Sequence, residues 1–430
     1  MDIRIDPGPL NGDIQAIASK SELHRMLICS AFADKPTGLL VSGSPYDGKH
    51  ELPKDIQATL RCLRTLGAGF DILPGMIQVT PAMPDKKIQK PVLNCGESGS
   101  TFRFLLPVAA AVSENAAFSG EGRLPERPIT ELADALEQHG VTFSSRTLPF
   151  SIQGNPLGGI YEIPGNISSQ YLTGLLLMLP LLDADAQIRL TTPLASAGYI
   201  DITTRIIKDF GIQVQCTDEV WKLCEFRSYQ SPDRLAVGGD WSNTAAFLTA
   251  SMLREENAIR CQSLLQDSPQ GDRKILSLLE SFGAEIAIDE SGILTKKASL
   301  HGTEIDIDET PDLLPVLAIA GCAARGRTTF SNAARLRLKE SDRIESVANL
   351  IRDLGGSVET TADSLTIHGS GSLRGGTVSA ANDHRIVMAA AIAASLCDEP
   401  VIIHGAEAVT KSYPTFFEDF ASVKGSVHVL

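Results

Sequence analysis

The chain has 430 residues, 43% hydrophobic and 21% charged, an ordinary globular composition but a length beyond what one hydrophobic core usually supports. With 52 acidic against 38 basic residues the net charge is −14, which argues against non-specific nucleic-acid binding while leaving room for local cationic pockets. Eight cysteines are scattered without CxxC or Cys/His ligand spacing, so they read as reduced thiols of a cytosolic protein and not as a disulfide framework or a zinc site.

The opening MDIRIDPGPLNGD carries no apolar signal core, and the longest apolar run, LTGLLLMLPLL, is broken by Pro180 and too short to span a bilayer. From there the chain repeats itself. TLRCLRTLGAGFDI contains Gly67; LADALEQHGVTFSS contains Gly140, ITTRIIKDFGIQVQ Gly211, LSLLESFGAEIAI Gly283 and VANLIRDLGGSVET Gly355. TFFEDFASVKGSV, with Gly425, is the weakest copy. By subtraction these glycines stand 73, 71, 72, 72 and 70 residues apart. Such an interval is too long for a solenoid unit and implies one small helix-and-sheet module used six times, three per domain. Each copy reads as an amphipathic helix, a glycine in left-handed backbone, and a half-buried strand such as Glu285-Ile286-Ala287-Ile288.

Between these segments lie helices that are apolar nearly all round: FRFLLPVAAAV, YLTGLLLMLPLL, TAAFLTASML, LLPVLAIAGCAA and IVMAAAIAASL. Such helices belong in a core. The segment at Ser231-Pro232-Asp233 separates the third and fourth copies and is the expected crossover between domains.

The first residues of the buried helices are polar and keep the same period: Ser19-Lys20-Ser21-Glu22, Gly99-Ser100-Thr101, Ser168-Ser169-Gln170, Gly239-Asp240-Trp241-Ser242, Pro311-Asp312 and Asn382-Asp383-His384-Arg385. Arg127, Tyr199, the run Lys339 to Arg343 and Lys411 mark the expected starts of outer helices. A helix N-terminus offers unpaired N–H groups and the positive end of the macrodipole, and arginine suits bidentate carboxylate or phosphate binding. Lys20, Arg25, Arg103, Arg127, Lys339, Arg343, Arg385 and Lys411 therefore suggest substrates with several negative charges. Each start also has a bland reading. Ser19-x-x-Glu22 is a capping box, SSQ a common cap, KESDRI a solvated turn, and a lone His384 more often structural than catalytic. The shared register of six starts favours the functional reading. No GxxxxGK[ST], HExxH or GxSxG occurs, and Gly369-Ser370-Gly371-Ser372 lies between strand-like runs, as a turn does.

SKSELHR, CGESGSTFRFLLP, ERPITELADAL, SSQYLTGLLL, GDWSNTAAFL, LKESDRIES, NDHRIVMAAA and TKSYPTFFEDF together resemble the enolpyruvyl transferases, specifically their shikimate branch, along essentially the whole chain. The resemblance implies an α/β (α+β) fold: a two-domain inside-out α/β barrel of six βαβαββ-type repeats, three per domain. It implies domains of residues 19–231 and of 1–18 plus 232–430, with the active site in the cleft between them. It implies transfer of the enolpyruvyl group of phosphoenolpyruvate to the 5-hydroxyl of shikimate 3-phosphate by addition and elimination, releasing phosphate. No metal or organic cofactor is expected, nor a nucleic-acid or membrane partner, and the enzyme is expected to be a cytoplasmic monomer.

Carried over motif by motif, Lys20, Ser21, Arg25, Ser168, Ser169, Gln170, Ser196, Tyr199, Asp312 and Lys339 are expected to hold shikimate 3-phosphate. Lys20, Gly99, Arg103, Arg127, Gln170, Arg343, His384, Arg385 and Lys411 are expected around phosphoenolpyruvate. Lys20, Asp312 and Glu340 are the catalytic candidates. Asp312 and Lys20 both stand as the base, Glu340 serves the methylene carbon, and Lys20 also suits protonation of the departing phosphate. Two positions depart from the resemblance. Glu97-Ser98-Gly99-Ser100 replaces the Asn-x-Gly-Thr of many relatives, and a glutamate there repels phosphoenolpyruvate unless it points away or pairs with a cation. Arg335 stands where some relatives have asparagine.

Two rival readings remain at this stage. A transferase acting on UDP-N-acetylglucosamine typically carries a cysteine before its Arg-Pro, and SGEGRLPERP has none. A non-enzymatic six-module clamp needs basic helix faces lining a hole, whereas here the cations gather at helix starts.

Overall fold

A computed structural model describes residues 1–82, 88–225 and 228–430. They form two compact units. Ser19–Val41 and Tyr46–Val237 make what we call the first-half unit; Met1–Ala18, Ser42–Pro45 and Gly238–Leu430 make the second-half unit. In the first-half unit run helices α1 (Lys20–Ala31), α2 (Lys54–Thr65), α3 (Gly99–Val112), α4 (Thr130–Glu137), α5 (Ser169–Met178) and α6 (Gly198–Asp209). In the second-half unit run α7 (Trp241–Ser251), α8 (Ile275–Ser281), α9 (Leu314–Ala323), α10 (Arg343–Asp353), α11 (His384–Ala393) and α12 (Phe416–Ser422).

Odd and even helices alternate in character. Every residue of α9 and α11 is buried, whereas α10 buries one face through Ile344, Val347, Ala348 and Ile351. The apolar runs read from the sequence thus occupy the core, where a helix with no polar face belongs.

Three four-stranded sheets surround the helices of each unit. All six share one order, seen in Val92–Asn94, Asn115–Ser119, Phe150–Gly154 and Val141–Phe143: a parallel pair, then two antiparallel pairings. The strand after each glycine always takes the outer edge. This explains a difference from expectation. Glu285–Asp289, expected half-buried, is exposed along most of its length because it has a neighbour on one side only.

Two strands leave the simple repeat. Asn11–Gln15 precedes α1 in the chain yet pairs with Ala258–Gln262 of the second-half unit. Arg234–Ala236 precedes α7 yet pairs with Thr37–Leu40 of the first-half unit. The compact unit that holds Arg234–Ala236 runs on to Val237. The sixth sheet is completed by the N-terminus: Asp2–Asp6 lies between Val401–His404 and Ser426–Val429. In this sheet the first strand of the chain takes the place that the last strand of the copy takes in the others.

Gly67, Gly140, Gly211, Gly283 and Gly355 all have φ between 81 and 96°, the left-handed conformation that ends a helix. The sixth copy differs. Lys424 takes the left-handed position (φ 70°), and Gly425 does not. Gly425 is needed for space instead, since a Cβ there would run into the Phe420 ring. A lysine in left-handed backbone is strained by roughly 1–2 kcal/mol. Lys424→Gly, at an exposed position, is therefore expected to stabilise the chain by about 1 kcal/mol. Urea unfolding of the two proteins measures the difference.

Candidate active site

In the first-half unit the starts of α1, α2 and α3 are joined by buried hydroxyls. Ser19 caps α1 and Ser98 caps α3, each side chain accepting a backbone N–H. The Thr101 hydroxyl donates to Ser98 Oγ at 2.8 Å and lies 2.6 Å from Thr59 Oγ1, which in turn lies 2.7 Å from Nδ1 of His24. Burial, with Lys20 and Arg25 nearby, pushes the His24 pKa well below its ordinary value, so the ring is neutral. Lys20, the first residue of α1, places its ammonium 2.7 Å from Oδ2 of Asp55 in the first turn of α2. Both side chains are about one-sixth exposed, at 16% and 15%, so the pair is shielded yet within reach of a ligand.

Arg25 is 2% exposed and lies over the Phe104 ring. Its guanidinium donates to the carbonyls of Ser21 and Tyr199 and to the hydroxyls of Thr203 and Thr173. These acceptors are neutral, and burial lowers the Arg25 pKa to about 10. Arg25 thus ties α1 to α5 and to the start of α6. Ser196, just before α6, holds left-handed backbone (φ 55°) while 2% exposed, and its carbonyl accepts the Tyr199 N–H at 3.2 Å. Strain at a buried serine survives only where the surroundings impose it, and such positions cluster at functional sites.

Arg103 donates to Oε1 of Gln170 and to the Pro128 carbonyl, both at 2.9 Å. Gln170 Nε2 donates to Ser100 Oγ at 3.1 Å. Ser168 caps α5, and Ser169 is its first residue. Gly99 lies under Arg127: a Cβ at Gly99 would stand 2.6 Å from Arg127 Nη1. Arg103 is therefore joined to Gln170 and through it to Ser100, and Arg127 lies against Gly99.

The second-half unit gathers charge around Arg343, which is 1% exposed. Its guanidinium donates to Asp312 (2.5 Å), to Glu340 (2.8 Å) and to Asp383 (2.8 Å). Asp383 caps α11 and also accepts from Ser341. Asp312 additionally faces Lys339 at 3.4 Å and Arg385 at 3.5 Å. Burial would raise the Asp312 pKa, but Lys339, Arg385 and Arg343 together outweigh it and hold the carboxyl well below its usual range. Arg385 donates to the Ser242 carbonyl, and Lys411 to the Asn382 carbonyl at 2.6 Å. His384 is the first residue of α11, buried, with Nδ1 3.8 Å from Asp383.

Arg343, expected beside phosphoenolpyruvate, donates to three carboxylates and orders them. One expectation changes. Lys411 closes a 3₁₀ turn, Ala406–Lys411, and does not start a helix; α12 begins only at Phe416. Pro414 accounts for this, because the residue before a proline is disfavoured in helical backbone. The two departures also find places. Arg335 donates to the Asp308 carboxylate and carbonyl, and the Glu97 carboxylate lies against Gly122.

The sequence reading assigned no role to Asp55, Asp383 or Asp272. Asp272 is buried, and burial together with Asp312 raises its carboxyl to about 6 although Arg385 opposes this. An acidic residue in a helix's first turn was the only local signal for Asp55, and it is a common one.

Helix starts that bring cations together with carboxylates, one grouping in each unit of three like sheets, fit the class of α/β enzymes that act on multiply anionic substrates. Comparison makes the class specific. A profile of the EPSP synthase (3-phosphoshikimate 1-carboxyvinyltransferase) family matches residues 5–420. Proteins named 3-phosphoshikimate 1-carboxyvinyltransferase from Clostridium acetobutylicum and Clostridium kluyveri are each 38% identical, over 99% of this chain and 98% of theirs. An EPSP synthase structure from Acinetobacter baumannii superposes with a TM-score of 0.80 at 24% identity, covering 100% of both chains. The enolpyruvyl transferase NikO from Streptomyces tendae gives 0.77 at 16% identity, covering 99% of this chain and 98% of that one. These two similarities bear on the fold, the inside-out α/β fold of such enzymes. The chain belongs to the EPSP synthase family.

Proposed function

We propose that this enzyme transfers the enolpyruvyl group of phosphoenolpyruvate to the 5-hydroxyl of shikimate 3-phosphate, releasing phosphate, in the shikimate pathway. The family match across residues 5–420 carries this reading. The chemistry of both units supports it.

In the proposal, Lys20, Ser21, Arg25, Ser168, Ser169, Gln170, Ser196, Tyr199, Asp312 and Lys339 hold shikimate 3-phosphate. Gly99, Arg103, Arg127 and Gln170, with His384, Arg385 and Lys411, hold phosphoenolpyruvate, whose two acidic groups call for such donors. Arg343 is a further phosphoenolpyruvate contact in the proposal, and it also orders the three carboxylates around it. Asp312 stays ionised at any working pH and accepts the hydrogen bond of the attacking hydroxyl. The cations that keep it ionised make it a weak base, so it takes the hydroxyl proton only as the C–O bond forms and that proton becomes acidic, which balances the proton that Lys20 gives to the departing phosphate. Glu340 delivers a proton to the methylene carbon and recovers one in the elimination. Lys20 protonates the leaving phosphate. We also propose a cytoplasmic monomer; eight free thiols support a reducing compartment.

The substrate is tested by measuring phosphate released from phosphoenolpyruvate with shikimate 3-phosphate and, separately, with UDP-N-acetylglucosamine. Release with the first alone is expected; release only with the second would move the chain to the sister reaction. Gly99→Ala is expected to raise KM for phosphoenolpyruvate about tenfold, because a methyl group displaces the Arg127 guanidinium from its place. KM for shikimate 3-phosphate is expected to stay within about twofold, and steady-state kinetics in both substrates checks the split.

A further inference from the structure

We infer that Glu97 is a positioning residue for phosphoenolpyruvate, holding the loop that carries Arg127. The inference rests on the proposed function and concerns a residue at which this chain departs from many relatives.

Two loops lie side by side in the first-half unit. One leads from the strand Val92–Asn94 into α3; the other leads from the strand Asn115–Ser119 through the 3₁₀ turn Leu124–Glu126 toward α4. They are zipped by backbone hydrogen bonds: Cys95 N–H donates to the Ser119 carbonyl at 3.0 Å, and Glu121 N–H to the Gly96 carbonyl at 2.8 Å. Beyond these bonds the loops exchange side chains. Each contributes one glycine and one charged residue, and each charged residue lies on the other loop's glycine. Glu97 lies on Gly122, where a Cβ would run into its carboxylate. Arg127 lies on Gly99, where a Cβ would stand 2.6 Å from Nη1. Gly122 has φ 56°, backbone that glycine adopts readily, so the space for Glu97 comes with a turn that glycine permits.

This reciprocal clasp answers the objection that a glutamate near phosphoenolpyruvate repels it. The carboxylate is seated against Gly122, and its effect on the substrate passes through the loop that ends in Arg127. Removing the side chain opens one arm of the clasp while the backbone bonds and the Asn94–Glu121 side-chain bond remain, and Arg127 loses its register on Gly99. A displacement of about 1 Å is enough to cost one to two orders of magnitude in a positioned contact.

The test compares Glu97→Ala, Glu97→Gln, Arg127→Ala and the double variant Glu97→Ala/Arg127→Ala. Wild-type phosphate release dependent on shikimate 3-phosphate comes first; its absence would defeat the proposed reaction, and crystal structures of wild type and Glu97→Ala would then decide the clasp by themselves. With turnover present, Glu97→Ala is expected to raise KM for phosphoenolpyruvate about tenfold while KM for shikimate 3-phosphate stays within about twofold. Glu97→Gln, which keeps the volume and a hydrogen-bonding end, is expected to stay within about threefold of wild type. The double variant is expected to be no worse than Arg127→Ala, because both changes remove one function. In the Glu97→Ala structure Arg127 is expected to have left Gly99. An unchanged KM for phosphoenolpyruvate, an equal rise in both KM values, a Gln variant as impaired as the Ala variant, additive effects, or Arg127 still seated on Gly99 would each overturn the inference.

Discussion

Lys20→Ala is expected to reduce kcat by about two to four orders of magnitude, the usual contribution of a positioned acid or base. Lys20 begins a buried helix and meets Asp55 at 2.7 Å, so its ammonium is fixed before any substrate arrives. In the proposed reaction it touches both substrates and protonates the departing phosphate. Truncation removes a contact and a proton together, so kcat and kcat/KM are both expected to fall. The fold is expected to persist, because the capping bond at this helix start is made by Ser19 and not by Lys20. Rapid-mix turnover with circular dichroism as a control checks this; full turnover by a folded Lys20→Ala protein would remove Lys20 from the chemistry.

Arg343→Ala has the largest expected effect on stability, about 3–5 kcal/mol lost at neutral pH. The side chain is 1% exposed and answers three carboxylates, so deleting it leaves Asp312, Glu340 and Asp383 facing one another without their shared cation. The pH dependence has a definite sign. Asp312 has a depressed pKa in the folded protein, so its contribution to stability is present above the usual carboxylate pKa and is lost as pH falls through the depressed value. In Arg343→Ala much of that depression disappears, and Asp312 takes up its proton at higher pH than in wild type. The gap between the two proteins is therefore expected to stay level from pH 8 to about 5 and to narrow as the pH falls further, through the ordinary carboxylate range of about 4. Urea unfolding at about pH 7, 5 and 3.5 measures it; a gap of equal size at all three would contradict the charge account.

Much of this architecture is written locally. Five of the six glycines recognised by spacing do hold left-handed backbone, because helix termination is a short-range problem with a short-range solution. The apolar helices are equally local, since a helix with no polar face has only the core to occupy. What escaped the sequence was set at a distance. Nothing near Arg234–Ala236 reveals that this strand serves a unit other than the one its following helix builds, and for Asn11–Gln15 the resemblance alone, with no local signal, pointed to the second half. Lys424 takes the left-handed turn because the adjacent Gly425 is required for packing on Phe420. In the candidate site, register identified the helix starts carrying Lys20, Gln170, Asp312 and Arg385. The partners that orient them, Asp55 for Lys20 and Asp383 for Arg343, lie 35 and 40 residues away in the chain. Charge pairing across that span leaves no periodic trace, so the three carboxylates gathered on Arg343 were not legible in the sequence.

The most direct test runs the reaction in deuterated water and examines the product by mass spectrometry and NMR. Addition places a solvent-derived proton on the methylene carbon of phosphoenolpyruvate, and elimination removes one of three from the resulting methyl group. With shikimate 3-phosphate present, the account predicts an enolpyruvyl ether at the 5-hydroxyl, partial deuteration of its methylene, and one phosphate released per ether formed. No ether, or an ether whose methylene carries no deuterium, would contradict it.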